Sequence, residues 1–168
     1  MEFIQSTIAY YQGEKSEAII LAVVGLVLGA LSYFLVKLHP TALAKGLFYP
    51  IAFFALFALM AGSYNTYNNA KRLSEFPKLY TENAQQLIQN EWDRFEGKNG
   101  VNRWWFPLNV TWTVFVLMGI SLYFLKESFF VKGIALGVLF FGFSGLLIDG
   151  FAKQRAAKYT QHLYAIKD

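Results

Sequence analysis

AIILAVVGLVLGALSYFLV, residues 18–36, carries no charged side chain and is apolar on every face. A strand of a membrane barrel would alternate apolar and polar residues in segments of about ten, so this stretch reads as a helix. About 20 such residues cross roughly 30 Å of hydrocarbon. Three more stretches qualify, Leu47 to Tyr64, Pro107 to Leu125 and Gly133 to Phe151, and Asp149 is the only acid or base inside any of them. The first is too long for a signal peptide's apolar run of about 7 to 15 residues and lies behind Glu2, Glu14 and Glu17. We expect it to stay in the mature protein.

Composition agrees. Of the 168 residues, 55% are hydrophobic and only 15% charged, and none is cysteine. A soluble domain carries about 25% charged residues, so this chain is short of polar groups to cover a water-facing surface. Disorder, nucleic-acid binding and a disulfide scaffold each need charge or cysteine that is missing. Counting Lys and Arg by flank puts eleven on the side of the N-terminal segment, the central segment and the tail, against four in the two remaining loops. The positive-inside rule then places both termini in the cytoplasm. We expect a bacterial inner (plasma) membrane protein with short outer loops.

Sliding the chain against itself aligns Phe3-Ile4-Gln5-Ser6 with Leu87-Ile88-Gln89-Asn90, and in the same register Ile8 with Trp92, Tyr11 with Phe95 and Gly13 with Gly97. Tyr33-Phe34-Leu35 matches Tyr123-Phe124-Leu125 further on. The expected fold class is therefore all-α and polytopic: four transmembrane helices as two tandem hairpin repeats, residues 1–83 and 84–168, in one compact membrane domain. A short amphipathic interfacial helix and a turn precede each hairpin, the helix laying its apolar face either on the headgroup boundary or on the inner end of the bundle. Phe3, Ile4, Ile8 and Tyr11 share one face of the first such helix, and Leu87, Ile88, Trp92 and Phe95 one face of the second. Pro77 and Lys78 mark the expected linker between the halves.

Lipid gives no hydrophobic force to bring helices together, so close backbone approach at small residues matters. Gly25 and Gly29, and Gly133 and Gly137, at four-residue spacing, are the expected helix-packing positions. The fourth span, with Gly142, Gly145 and Gly150 besides, should pack most closely. A polar cluster of Tyr64, Asn65, Asn68, Asn109, Thr113 and Asp149 lies toward the cytoplasmic third and is expected to join helices through hydrogen bonds. Asp149 has Lys153 four residues on, which suits a local ion pair. Glu91, Asp93, Arg94 and Glu96 read as solvated charge on the polar face of the second amphipathic helix.

The inventory for catalysis is thin. His39 and His162 fall on opposite sides of the membrane, no cysteine is present, and Asp149 lacks a second intramembrane aspartate. The expectation is no catalytic residue, metal or cofactor. Partners are membrane lipids and a membrane protein or a second copy of the chain, with no nucleic acid. The function expected is that of a non-enzymatic membrane protein acting through helix-helix contacts with a membrane partner or itself, in an immunity-type or accessory-subunit role. The alternative is a small homo-oligomeric ion channel or pore-type effector.

Overall fold

Pro40 cannot continue a helix and biases the residue before it toward extended backbone. The first helix stops just before it. In the computed structural model, which describes the backbone of residues 2–167 and the side chains of residues 3–166, α1 runs Glu2–Leu38. The Thr41 hydroxyl then caps α2 by accepting from the Ala44 N–H at 3.1 Å. α2 spans Ala42–Glu96, a 3-10 turn covers Val101–Arg103, α3 spans Trp105–Leu125 and α4 spans Phe129–Lys167. The chain is 93% helix, with no strand among the described residues. Three helical units are long and apolar enough to cross a membrane: Phe3–Leu38, Ala42–Leu125 and Phe129–Ile166. The middle unit, 84 residues long, contains two of the four apolar stretches. Met1 and Asp168, the outer limits of the expected halves, lie outside the described residues, as does the Lys167 side chain counted in the tail.

At 1.5 Å per residue α3 is about 32 Å long, a membrane's thickness, whereas α1 and α4 reach about 55 Å or more. Their surplus projects at the end that carries both chain termini. There Phe3 and Tyr11 of α1, Phe76, Leu87 and Phe95 of α2, and Ala156, Tyr159 and Leu163 of α4 form one buried cluster, a terminal cap on the bundle.

Two local expectations change. The first amphipathic segment is not set off by a turn at Gly13, because α1 passes through it unbroken. The missing side chain there makes room instead: a Cβ on Gly13 would lie 3.3 Å from Arg155 Cδ of α4. α2 likewise continues past Pro77 and breaks at Asn83, whose φ of −157° and ψ of 89° are non-helical. The Asn83 carboxamide oxygen caps the new start by accepting from the Gln86 N–H at 3.0 Å. Residues 84–96 thereby fold back onto the ends of α1 and α4. The two amphipathic faces meet each other and α4 rather than the lipid interface, with Phe3 and Leu87 each 4% exposed and Phe95 fully buried.

The helices form a row, α1 against α2, α2 against α4, and α4 against α3. Glycines line every seam of it. A Cβ on Gly25 would fall 2.6 Å from the Ala55 carbonyl oxygen, and one on Gly62 2.6 Å from that of Ala18, so α1 and α2 touch backbone to backbone. Gly133 and Gly46 do the same between α4 and α2, where a Cβ on Gly137 would also stand 2.3 Å from Pro50 Cγ. Gly119, Gly142 and Gly145 accept α3 against α4. Gly29 is looser, its Cβ position 3.6 Å from Ala55 Cβ. Phe54, Ala58 and Phe141 fill the centre, with Trp112 and Phe115 of α3 against them.

Candidate functional site

The row does not close into a ring, since α1 and α3, at its two ends, have at most marginal contact. Between them lies a lateral groove of about 620 Å³. Ile20, Leu21 and Val24 of α1, Phe54 and Phe57 of α2, Leu108 of α3, and Phe140, Leu147 and Phe151 of α4 make its walls. Its polar groups gather toward the terminal cap. Asp149 accepts a hydrogen bond from the Trp112 indole N–H of α3. The partner of Asp149 is thus a neighbouring helix, in place of the Lys153 ion pair suggested by spacing. At the mouth, Arg155 of α4 donates through Nε and Nη2 to Glu14 at 3.1 and 2.9 Å and through Nη2 to Glu17, with which its Nη1 is also ion-paired.

Of the polar cluster expected from sequence, Asn65 and Asp149 line the groove. The others are placed elsewhere. Tyr64 is 68% exposed and Asn68 half-buried. Asn109 donates to the Trp105 carbonyl at 2.7 Å and Thr113 to the Asn109 carbonyl at 2.8 Å, so both bond within α3 rather than across to a neighbour. This back-bonding to the preceding turn satisfies a short polar side chain without any partner helix.

A second arrangement, in the terminal cap, is not legible as a site in the sequence. Glu91 is 3% exposed rather than solvated. Its carboxylate accepts from the Tyr11 hydroxyl at 2.8 Å and from the Tyr159 hydroxyl at 3.1 Å. The Tyr159 oxygen is also 3.0 Å from Thr7 Oγ1. Arg72 donates to the Tyr11 oxygen at 3.1 Å and stands 3.8 Å from Glu91. Arg94, also expected to be solvated, lays its guanidinium 4.9 Å from the Tyr11 ring centre, with Nη1 buried and without a hydrogen-bond partner. Burial pushes the Glu91 carboxyl up to about 7, against the Tyr159 hydrogen bond and the Arg72 charge, which both pull it down.

The signal for Glu91 is in the spacing. Leu87, Glu91 and Phe95 follow at four-residue steps, as do Phe3, Thr7 and Tyr11, so each polar residue falls in the middle of an apolar stripe. The two stripes pack face to face. Each supplies a polar group to the same buried point, where a proton can be held between carboxyl and phenols but no substrate has access. The groove, by contrast, opens laterally between α1 and α3. Comparison with protein-family models, with curated proteins and with solved structures gives no match for this chain.

Proposed function

We propose that this chain is an integral membrane protein that works by holding a membrane component against its open side, without chemistry of its own. In this reading four spans, two in the hairpin of α1 and α2 and two in that of α3 and α4, cross a bacterial inner membrane. Both termini and the terminal cap are cytoplasmic, in keeping with the distribution of Lys and Arg. The halves 1–83 and 84–168 descend from one hairpin, and the Asn83 break stands at their junction. The role is of the immunity or accessory-subunit kind, exercised through lateral contacts with a membrane partner or a second copy.

One observation carries this reading: a row of helices left open between α1 and α3, with an apolar groove of about 620 Å³ in the gap. A closed bundle would have no reason to recruit anything. Lateral contact in lipid rests on packing and on a few polar groups, which is what the groove offers. The test is a mass measurement of the chain released from native membranes in nanodiscs, alongside ion flux from liposomes of the same preparation. A bound component displaced by Ala61→Phe, which fills the groove wall, and an absence of flux are expected. Sustained single-channel currents from a homogeneous preparation would replace this reading with a pore.

A further inference from the structure

We infer that the groove holds one phospholipid of the leaflet next to the terminal cap and selects it by a primary ammonium in the head group, as in phosphatidylethanolamine. This rests on the proposal above that the open side takes up a membrane component, and it names that component.

Depth is the first argument. Inward of its charged residues the groove runs from Ala18 to Val24 on α1 and from Phe140 to Phe151 on α4, about 9 and 17 Å at 1.5 Å per residue, no more than about half of the roughly 30 Å hydrocarbon core. It therefore accompanies a single leaflet. A partner's transmembrane helix would need a track through both. The volume, about 620 Å³, is that of a site for one small molecule, inside the usual range of about 300 to 1,000 Å³.

Polarity is the second. An amphiphile needs apolar walls and one charged end, and Ile20, Val24, Phe57 and Leu147 provide the walls while Glu14, Glu17 and Arg155 provide the end. Their balance decides the head group. Arg155 commits its Nε and both Nη2 donors to the two carboxylates, and its Nη1 is ion-paired with Glu17. Two carboxylates face one guanidinium, so the mouth keeps a negative charge and spare acceptor oxygens. Glu17 is the more open, its side chain 41% exposed against 25% for Glu14 and Arg155. A primary ammonium brings three N–H donors and a positive charge to those oxygens. A quaternary ammonium brings charge without donors, and a glycerol head group leaves the phosphodiester charge, which both lipids carry, without a cation to balance it, so the carboxylates repel it.

Trp112 lines the groove and reports on its contents. In a chain carrying Trp92→Phe, Trp104→Phe and Trp105→Phe, its fluorescence is read in equimolar phosphatidylethanolamine and phosphatidylglycerol, with bromine on the acyl chains of one lipid or the other. Phosphatidylethanolamine should be enriched at Trp112 about fivefold over the bulk ratio, the effect of one partly exposed ion pair. Glu14→Gln with Glu17→Gln should return it to the bulk ratio. Equal quenching by both lipids in the parent chain would overturn the selection. Because the tryptophan replacements touch the cap, the unmodified chain is also released from the same bilayers and weighed. A retained phosphatidylethanolamine, lost on Ala61→Phe, supports the inference. A second copy or another protein in its place, lost on the same substitution, would overturn the lipid assignment but not the open-side reading. Nothing retained would overturn both.

Discussion

Glu91→Gln removes the one carboxyl that the terminal cap encloses while keeping its shape. In the wild type this carboxyl moves from 4.5 to about 7 on folding, so the folded state holds a proton that the unfolded chain has already released. The stability due to that proton is fully present below about pH 4.5 and is lost as pH rises through about 7. A tenfold change in proton affinity corresponds to about 1.4 kcal/mol, which makes the loss about 3 kcal/mol across that window. A chain of this length moves about 2–4 °C in Tm per kcal/mol, so the wild type should melt about 6–12 °C lower at pH 8.5 than at pH 5 on account of Glu91 alone. The glutamine variant cannot titrate there. Melting of both proteins in nanodiscs, followed by circular dichroism, reads the effect as a difference of differences, in which the other carboxylates cancel. Near-equal stability at pH 5 and a more stable variant at pH 8.5 are expected. Parallel curves across the range would refute the argument and mean that Arg72 and the two tyrosines hold Glu91 ionised inside the cap.

Three further outcomes follow from the bundle. Gly137→Leu should abolish a monodisperse elution peak, since even its Cβ would stand 2.3 Å from Pro50 Cγ, whereas Gly150→Leu, with open space around Gly150, should elute and melt as the wild type does. The chain has no native cysteine, so a thiol introduced by His39→Cys should react with an impermeant maleimide added outside cells, and one introduced by Asn99→Cys should not; the reverse would invert the topology. Purified protein in liposomes should show negligible ion flux, because polar side chains thin out beyond the third of the spans near the cap and a water column at the midplane would lack partners; currents abolished by Asn109→Leu would contradict this.

The apolar stretches can be read from the sequence because lipid imposes a coarse rule, about 20 residues without charge, that needs no tertiary knowledge. Small residues are legible in part. Gly25 and Gly137 stand out by their spacing, but Gly46 and Gly62 meet backbone just as closely and have no glycine four residues away to announce them. Glu91 escapes a sequence reading because its charge outweighs its position. A carboxylate is ordinarily solvated, and only the meeting of two amphipathic faces, with Tyr11 and Tyr159 supplying hydroxyls, makes burial tolerable. The Arg155 pairing with Glu14 and Glu17 joins positions about 140 residues apart, beyond the reach of any local pattern. Gly13 and Gly97 hold equivalent places in the two aligned segments, yet only Gly97 ends a helix, and there the chain turns at once, the Gly100 N–H donating to the Gly97 carbonyl at 2.9 Å.

The terminal cap also sets an order of events during synthesis. Phe3, Thr7 and Tyr11 leave the ribosome about 150 residues before Tyr159 and Leu163, which cover them. At about 5–20 residues per second, roughly 8 to 30 s pass between the two ends. Throughout that interval the apolar stripe at the start of α1 lacks its cover from α4 and is available to a chaperone or to the same stripe of a neighbouring nascent chain. Truncation after Lys153 removes Ala156, Tyr159 and Leu163 from the cap and is therefore expected to expose the variant to membrane proteases.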